Sequence, residues 1–188
     1  MRRTIARLLL RVTGWRAVGE PPDDPKFVFI AAPHTSNWDL LYMVLVAQSL
    51  RLDISWLGKD SLFTGPTGPF LRWLGGIPVD RSRPNGMVET LREEFARNER
   101  LAVGIPPEGT RGRRDHWKSG FYRVALAAEV PIVCGYLDWS TKTGGFGTVV
   151  RPTGDAAADM DLVRAFYADK AGKFPDDVSD VRLRDEDD

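Results

Sequence analysis

Cysteine is almost absent from this 188-residue chain; Cys134 stands alone, so no intramolecular disulfide can form. Histidine is nearly as scarce. With only His34 and His116, no zinc-ligand spacing can be assembled from Cys and His. No apolar run reaches the roughly eighteen residues that cross a bilayer. The longest, 40–47, is followed by Gln48 and reads as a buried helix. Net charge is missing too: 26 basic residues balance 26 acidic ones, without the basic footprint of a dedicated nucleic-acid binder. Nucleic acid is not an expected partner. The remaining composition, 43% hydrophobic and 28% charged, excludes collagen-like, low-complexity and wholly disordered chains. A chain this long buries roughly 70% of its unfolded surface around one core, so a single domain is expected.

The charge balance hides an asymmetry. Residues 1–16 carry Arg2, Arg3, Arg7, Arg11 and Arg16 with no acid, whereas 176–188 carry seven acids against Arg182 and Arg184. Leu8, Leu9 and Leu10 after a basic start resemble a signal peptide, but Arg11 breaks the run and no small-residue cleavage site follows, so secretion is not expected. On a helix, Ile5, Leu8, Leu9, Val12 and Trp15 share one face. Two roles fit such a basic amphipathic segment: packing on the domain's own core, or lying in a lipid interface. From residue 176 onward acids dominate and apolar residues thin out, so 176–188 is expected to be a disordered tail behind a domain spanning 17–175.

Short apolar runs bounded by turn residues at 27–32, 54–57, 101–105, 132–137 and 147–150 read as strands. Helical patterns occupy 38–50, 68–74, 86–98, 119–128 and 160–171, the second short. Alternation of this kind predicts one α/β domain, a largely parallel sheet flanked by helices on both faces.

Three segments carry chemistry. Pro33-His34-Thr35-Ser36-Asn37-Trp38-Asp39 follows the first predicted strand and opens a helix. Residues five apart on one helix diverge by about 140°, so His34 and Asp39 meet only if His34 lies in the loop. Ser36 or Asn37 then serves as N-cap, and Asp39 in the first turn fixes one imidazole nitrogen while the other acts as a base. Ordinary capping chemistry explains the same residues. Pro107-Glu108-Gly109-Thr110-Arg111 follows the strand at 101–105, in the position where α/β proteins hold ligands. Arg111 is a fork suited to phosphate; the alternative is a turn closed by a structural Glu108 salt bridge. Gly75-Gly76-Ile77-Pro78-Val79-Asp80-Arg81 places a further Arg after an extended stretch.

Together and in this order the segments resemble the lysophospholipid (1-acylglycerol-3-phosphate) acyltransferase family of the PlsC type. Its His-x-x-x-x-Asp motif is met by His34 and Asp39, its Gly-x-x-x-x-Arg motif by Gly76 and Arg81, and its Pro-Glu-Gly-Thr-Arg motif by residues 107–111. Its Val-Pro-Ile-Val run is met by 130–133, and the resemblance covers about 27–137. Pro106 stands where the family commonly has Phe, and Cys134-Gly135 replaces a usual Pro, departures that bear on pocket shape.

The resemblance implies transfer of a fatty acyl group from acyl-CoA or acyl carrier protein to a lysophosphatidate-like acceptor, with His34 and Asp39 catalytic. Arg81, Glu108, Gly109, Thr110 and Arg111 would bind the acceptor phosphate. The alternatives are acylation of glycerol 3-phosphate or another lysolipid and, in a different class, a non-catalytic lipid-binding protein. The residue types suit acyl transfer: a glycerol hydroxyl needs a base, and imidazole, with an ordinary pKa near about 6.5, is mostly neutral at cytoplasmic pH. A thiol leaves as thiolate without a strong acid, so no enzyme nucleophile is required. Backbone amides near the helix start, or Lys59, are candidates for holding the oxyanion. Arg113, Arg114 and Lys118 read as a solvated basic loop, Trp117 and Phe121 as core or membrane-edge aromatics, and His116 as non-catalytic. No cofactor or metal is expected; the remaining expected partner is an anionic membrane surface, on the cytoplasmic face.

Overall fold

The computed structural model describes residues 2–80 and 86–186. Helix α1 (Arg2–Val12) leads into the short strand β1 (Arg16–Val18), followed by β2 (Lys26–Ala32), α2 (Trp38–Ser49) and β3 (Ser55–Lys59). Then come α3 (Gly68–Trp73), β4 (Gly76–Val79), α4 (Gly86–Arg97), β5 (Leu101–Ile105), α5 (Gly120–Ala128), β6 (Ile132–Asp138), β7 (Thr143–Val150) and α6 (Ala156–Tyr167). One sheet results, ordered β1-β7-β6-β2-β5-β3-β4. Among the described residues only β6 and β7 pair antiparallel. It is the largely parallel, helix-flanked α/β sheet that the alternation predicts.

Successive side chains of a strand point to opposite faces, and β2 feeds two cores in this way. Val28, Ile30 and Ala32 pack with Leu91 of α4, Phe121 of α5 and Met160 of α6. Phe27 and Phe29 pack on the other face with Leu10 of α1 and Met43 and Val46 of α2. Burial on both faces is why the strand reads as an unbroken apolar run. Its neighbour β5 lies so close that a Cβ at Gly104 would sit 2.4 Å from the Phe29 ring, so a side chain there would force the ring aside.

Two elements depart from the expected boundaries, and β4 is a strand beyond those expected. Strand β7 begins at Thr143 rather than 147, because Gly144 and Gly145 are paired residues between β1 and β6 rather than a turn. Helix α6 starts at Ala156 rather than 160, capped by the Asp155 side chain, which accepts from the Ala158 N–H at 3.1 Å. Strand β4 holds Pro78 at the sheet's edge, where a missing N–H is tolerated.

The two termini differ more. In α1 it is Ala6 and Leu10 that are buried, while Ile5, Leu8, Leu9 and Val12 are exposed, Val12 at 76%. Trp15 lies beyond the helix and is buried instead, stacked 4.5 Å from Tyr42. The tail expected to be disordered packs on the domain as far as residue 186. Ser179 and Leu183 are buried, Leu183 bridges to Trp117, and the Trp117 N–H donates to the Arg182 carbonyl at 2.7 Å. Sparse apolar residues suffice here because the acids meet bases: Asp180 pairs with Arg113 at 3.2 Å and Glu186 with Arg164 at 2.6 Å.

Candidate active site

Strands β2 and β5 are register partners, Ile30 opposite Ile105, so the loops leaving their carboxyl ends start side by side. Four residues past Ile30 and three past Ile105, the chains are tied together: the His34 N–H donates to Glu108 Oε2 at 2.8 Å. A second tie runs from Arg111 Nη1 to Asn37 Oδ1. Gly109 turns the second loop with φ of 66°, where a Cβ would also collide with the Lys118 side chain 2.7 Å away.

His34 does lie in the loop, and Asp39 in the first turn of α2. His34 Nδ1 stands 3.3 Å from Asp39 Oδ2. The same oxygen accepts the N–H groups of Thr35 and Ser36 at 2.9 and 2.8 Å, and Oδ1 accepts the Trp139 indole N–H at 2.9 Å. Asp39 is 3% exposed, and this set of donors is what keeps a buried carboxylate satisfied. The expected N-cap is realised only in part. Ser36 Oγ accepts the Trp38 N–H at 3.2 Å, while Asn37, at the cap position, makes no capping bond with its side chain.

Four backbone amides near the helix start are already engaged. The amides of His34, Thr35, Ser36 and Trp38 all serve side-chain acceptors. Lys59 is exposed at the end of β3 and does not line the cavity described next.

A cavity of about 720 Å³ opens at the carboxyl ends of β2, β4 and β5, with the first residues of β3 along one side. His34, Asp39, Gly109, Thr110 and Arg111 line it, and Phe29, Met43, Ile54 and Leu57 supply apolar walls. Lys118, read as a solvated loop residue, lines it as well. The signal for Lys118 was its distance from Gly109, which sequence spacing does not give. Gly76 opens β4, and Arg81 lies outside the described residues, as does the rest of 81–85.

Glu108 is 2% exposed, and burial pushes its carboxyl up to about 7, against the His34 N–H that favours the ionised form. Its Oε1 has no hydrogen-bond partner among the described residues. The Cys134 thiol is buried and pushed up to about 12 by desolvation, so it is no thiolate nucleophile. Among the described residues no group of three or more His, Cys, Asp or Glu side chains is placed to hold a metal ion. Among the described residues, too, no helix is long and apolar enough to cross a membrane.

A polar pair in the lining of an apolar cavity, beyond the carboxyl ends of parallel strands, suits transfer chemistry on an apolar substrate. The family model described as Acyltransferase matches residues 19–137. The chain belongs to the acyltransferase family. This acyltransferase also shares its fold with a solved structure, that of the 1-acyl-sn-glycerophosphate (LPA) acyltransferase PlsC from Thermotoga maritima. The likeness has a TM-score of 0.53 at 15% identity, over 89% of this chain and 74% of that one. No curated protein matches the chain. Trp139, which holds Asp39, lies just past the matched region, and nothing in the sequence flags it.

Proposed function

We propose that this acyltransferase moves a fatty acyl group from a thioester, acyl-CoA or acyl carrier protein, to the free hydroxyl of a lysophosphatidate-like acceptor. The observation that carries the reading is the His34–Asp39 pair, 3.3 Å apart, in the lining of the apolar cavity. With Nδ1 held by Asp39, Nε2 is left to take the hydroxyl proton. The hydroxyl oxygen attacks the thioester carbonyl carbon, the C–S bond breaks, and the proton passes from Nε2 to the departing thiolate. One ester and one thiol result, and no covalent acyl-enzyme is needed. Arg111 and Lys118 are the lysine and arginine side chains lining the cavity among the described residues, and they suit the acceptor phosphate and the developing oxyanion.

The acceptor and the product partition into lipid, and the molecule carries an apolar surface to meet them. Ile5, Leu8, Leu9 and Val12 are exposed on α1 beside Arg7 and Arg11, and Trp38 and Leu40 are exposed at the start of α2 near the cavity. The enzyme docks peripherally on the cytoplasmic membrane face through this surface, with the arginines favouring anionic lipid.

The test is thiol release from acyl-CoA with lysophosphatidate, glycerol 3-phosphate and neutral lysolipids offered in turn. Release that depends on lysophosphatidate supports the reading, and preference for glycerol 3-phosphate moves the acceptor one step earlier. Lysolipid binding without thiol release from either thioester would make the protein a binding module.

A further inference from the structure

Asp39 is held by a residue that none of the motifs contains. Trp139 follows β6 directly, a hundred residues from Asp39, and its indole N–H reaches Oδ1 at 2.9 Å. The ring is fixed on several sides. Trp15 meets it edge-on at 5.0 Å and Tyr42 at 5.5 Å, and its backbone N–H donates to the Ala171 carbonyl at 2.9 Å. The Lys173 ammonium lies 4.7 Å from the ring centre, within cation–π range. A cation over an indole draws electron density from the ring and makes its N–H a stronger donor. Oδ1 is thereby fixed, so that Oδ2 faces His34.

On this geometry we propose that Trp139 is a positioning residue for the acyl-transfer reaction, orienting the Asp39 carboxylate so that Oδ2 holds His34 Nδ1. The inference rests on the reading of His34 and Asp39 given above. Arg111 and Lys118 line the same cavity as the carboxylate. His34 faces the carboxylate from the loop, Glu108 from the loop after β5, and Lys173 lies across the indole. Asp138, at the end of β6, spends its oxygens on Ser140, Thr141 and the Ala171 N–H.

Without the indole N–H, Oδ1 would be buried with no donor, and a proton on the pair would be favoured. The acid limb of the kcat/KM profile should therefore move to higher pH. Trp139→Phe keeps an aromatic ring and removes the donor, together with part of the indole's packing against Trp15 and Tyr42. We expect its acid limb to rise by about one pH unit and kcat to fall about ten-fold at neutral pH, with KM for acyl-CoA unchanged. Lys173→Met should move the limb the same way by less. Loss of stability with an unmoved acid limb would mean that Trp139 is only a packing residue, and would overturn the proposal.

Should Trp139→Phe fail to fold, the N–H can be read in the intact chain. Among the signals of the six indoles, one in the downfield part of the proton spectrum should shift upfield in Asp39→Asn. Six unmoved signals would contradict the contact. The two readings fail separately: an active His34→Ala sinks the base assignment, whereas an inactive His34→Ala with a wild-type profile in Trp139→Phe sinks this inference alone.

Discussion

Glu108 is a carboxyl that the fold buries and only half satisfies, and this has a pH signature. Its folded value is raised from 4.5 to about 7 by desolvation, so between those pH values the unfolded chain releases a proton that the folded chain keeps. Stability attributable to Glu108 is therefore full below 4.5 and is lost as pH rises through 7, by about 3 kcal/mol in all. Glu108→Gln retains an acceptor for the His34 N–H and cannot ionise. Relative to wild type it should gain stability by about that amount between pH 4 and pH 8, measured by urea unfolding; a constant difference would remove Glu108 from the ionisation account. Arg111 makes a kinetic prediction instead. Arg111→Ala should raise KM for the acceptor about ten-fold while leaving KM for acyl-CoA nearly unchanged, and equal effects would place it at the donor. The placement of His34, Glu108 and Arg111 in loops after strands, and of Asp39 in the first turn of α2, was legible because their motifs follow predicted strands. Trp139 and Lys118 were not, since their contacts depend on which distant segments the sheet brings together.

At the level of elements, the two ends of the chain show how composition misleads and how it informs. The acidic tail reads as disordered because it has few apolar residues, yet Leu183 is 1% exposed against Trp117. Leu183→Ala should cost about 2–5 kcal/mol, the range for buried leucines; a change under about 0.5 kcal/mol would return the tail to solvent. Helix α1 shows its amphipathic period, but periodicity does not say which face meets protein. The small Ala6 with Leu10 meets α2 while the bulkier Leu8 and Val12 stay outside. Because Leu10 and Trp15 are core residues, deleting the segment would damage the domain, and point changes are the cleaner probe. Leu8→Asn with Val12→Asn should reduce binding to anionic vesicles about ten-fold with thermal stability unchanged. Undiminished binding would move the lipid contact elsewhere on the surface.

Over the whole molecule, strand and helix alternation was enough to read a parallel α/β sheet, because burial on both faces writes itself as short continuous apolar runs. The order of the strands was not readable, and neither were β1, three residues long, and the glycine-rich start of β7. That order is what makes the site: β5 lies beside β2 though five α-helices and strands separate them along the chain, and only then does Glu108 reach the His34 backbone. The central claim is that His34 takes the proton of the acceptor hydroxyl. It is tested most directly by the turnover of His34→Ala, folded by circular dichroism, with acyl-CoA and lysophosphatidate at pH 7.5. The account predicts a loss of kcat of at least about 100-fold, as for removal of a general base. Turnover within a few-fold of wild type would contradict it.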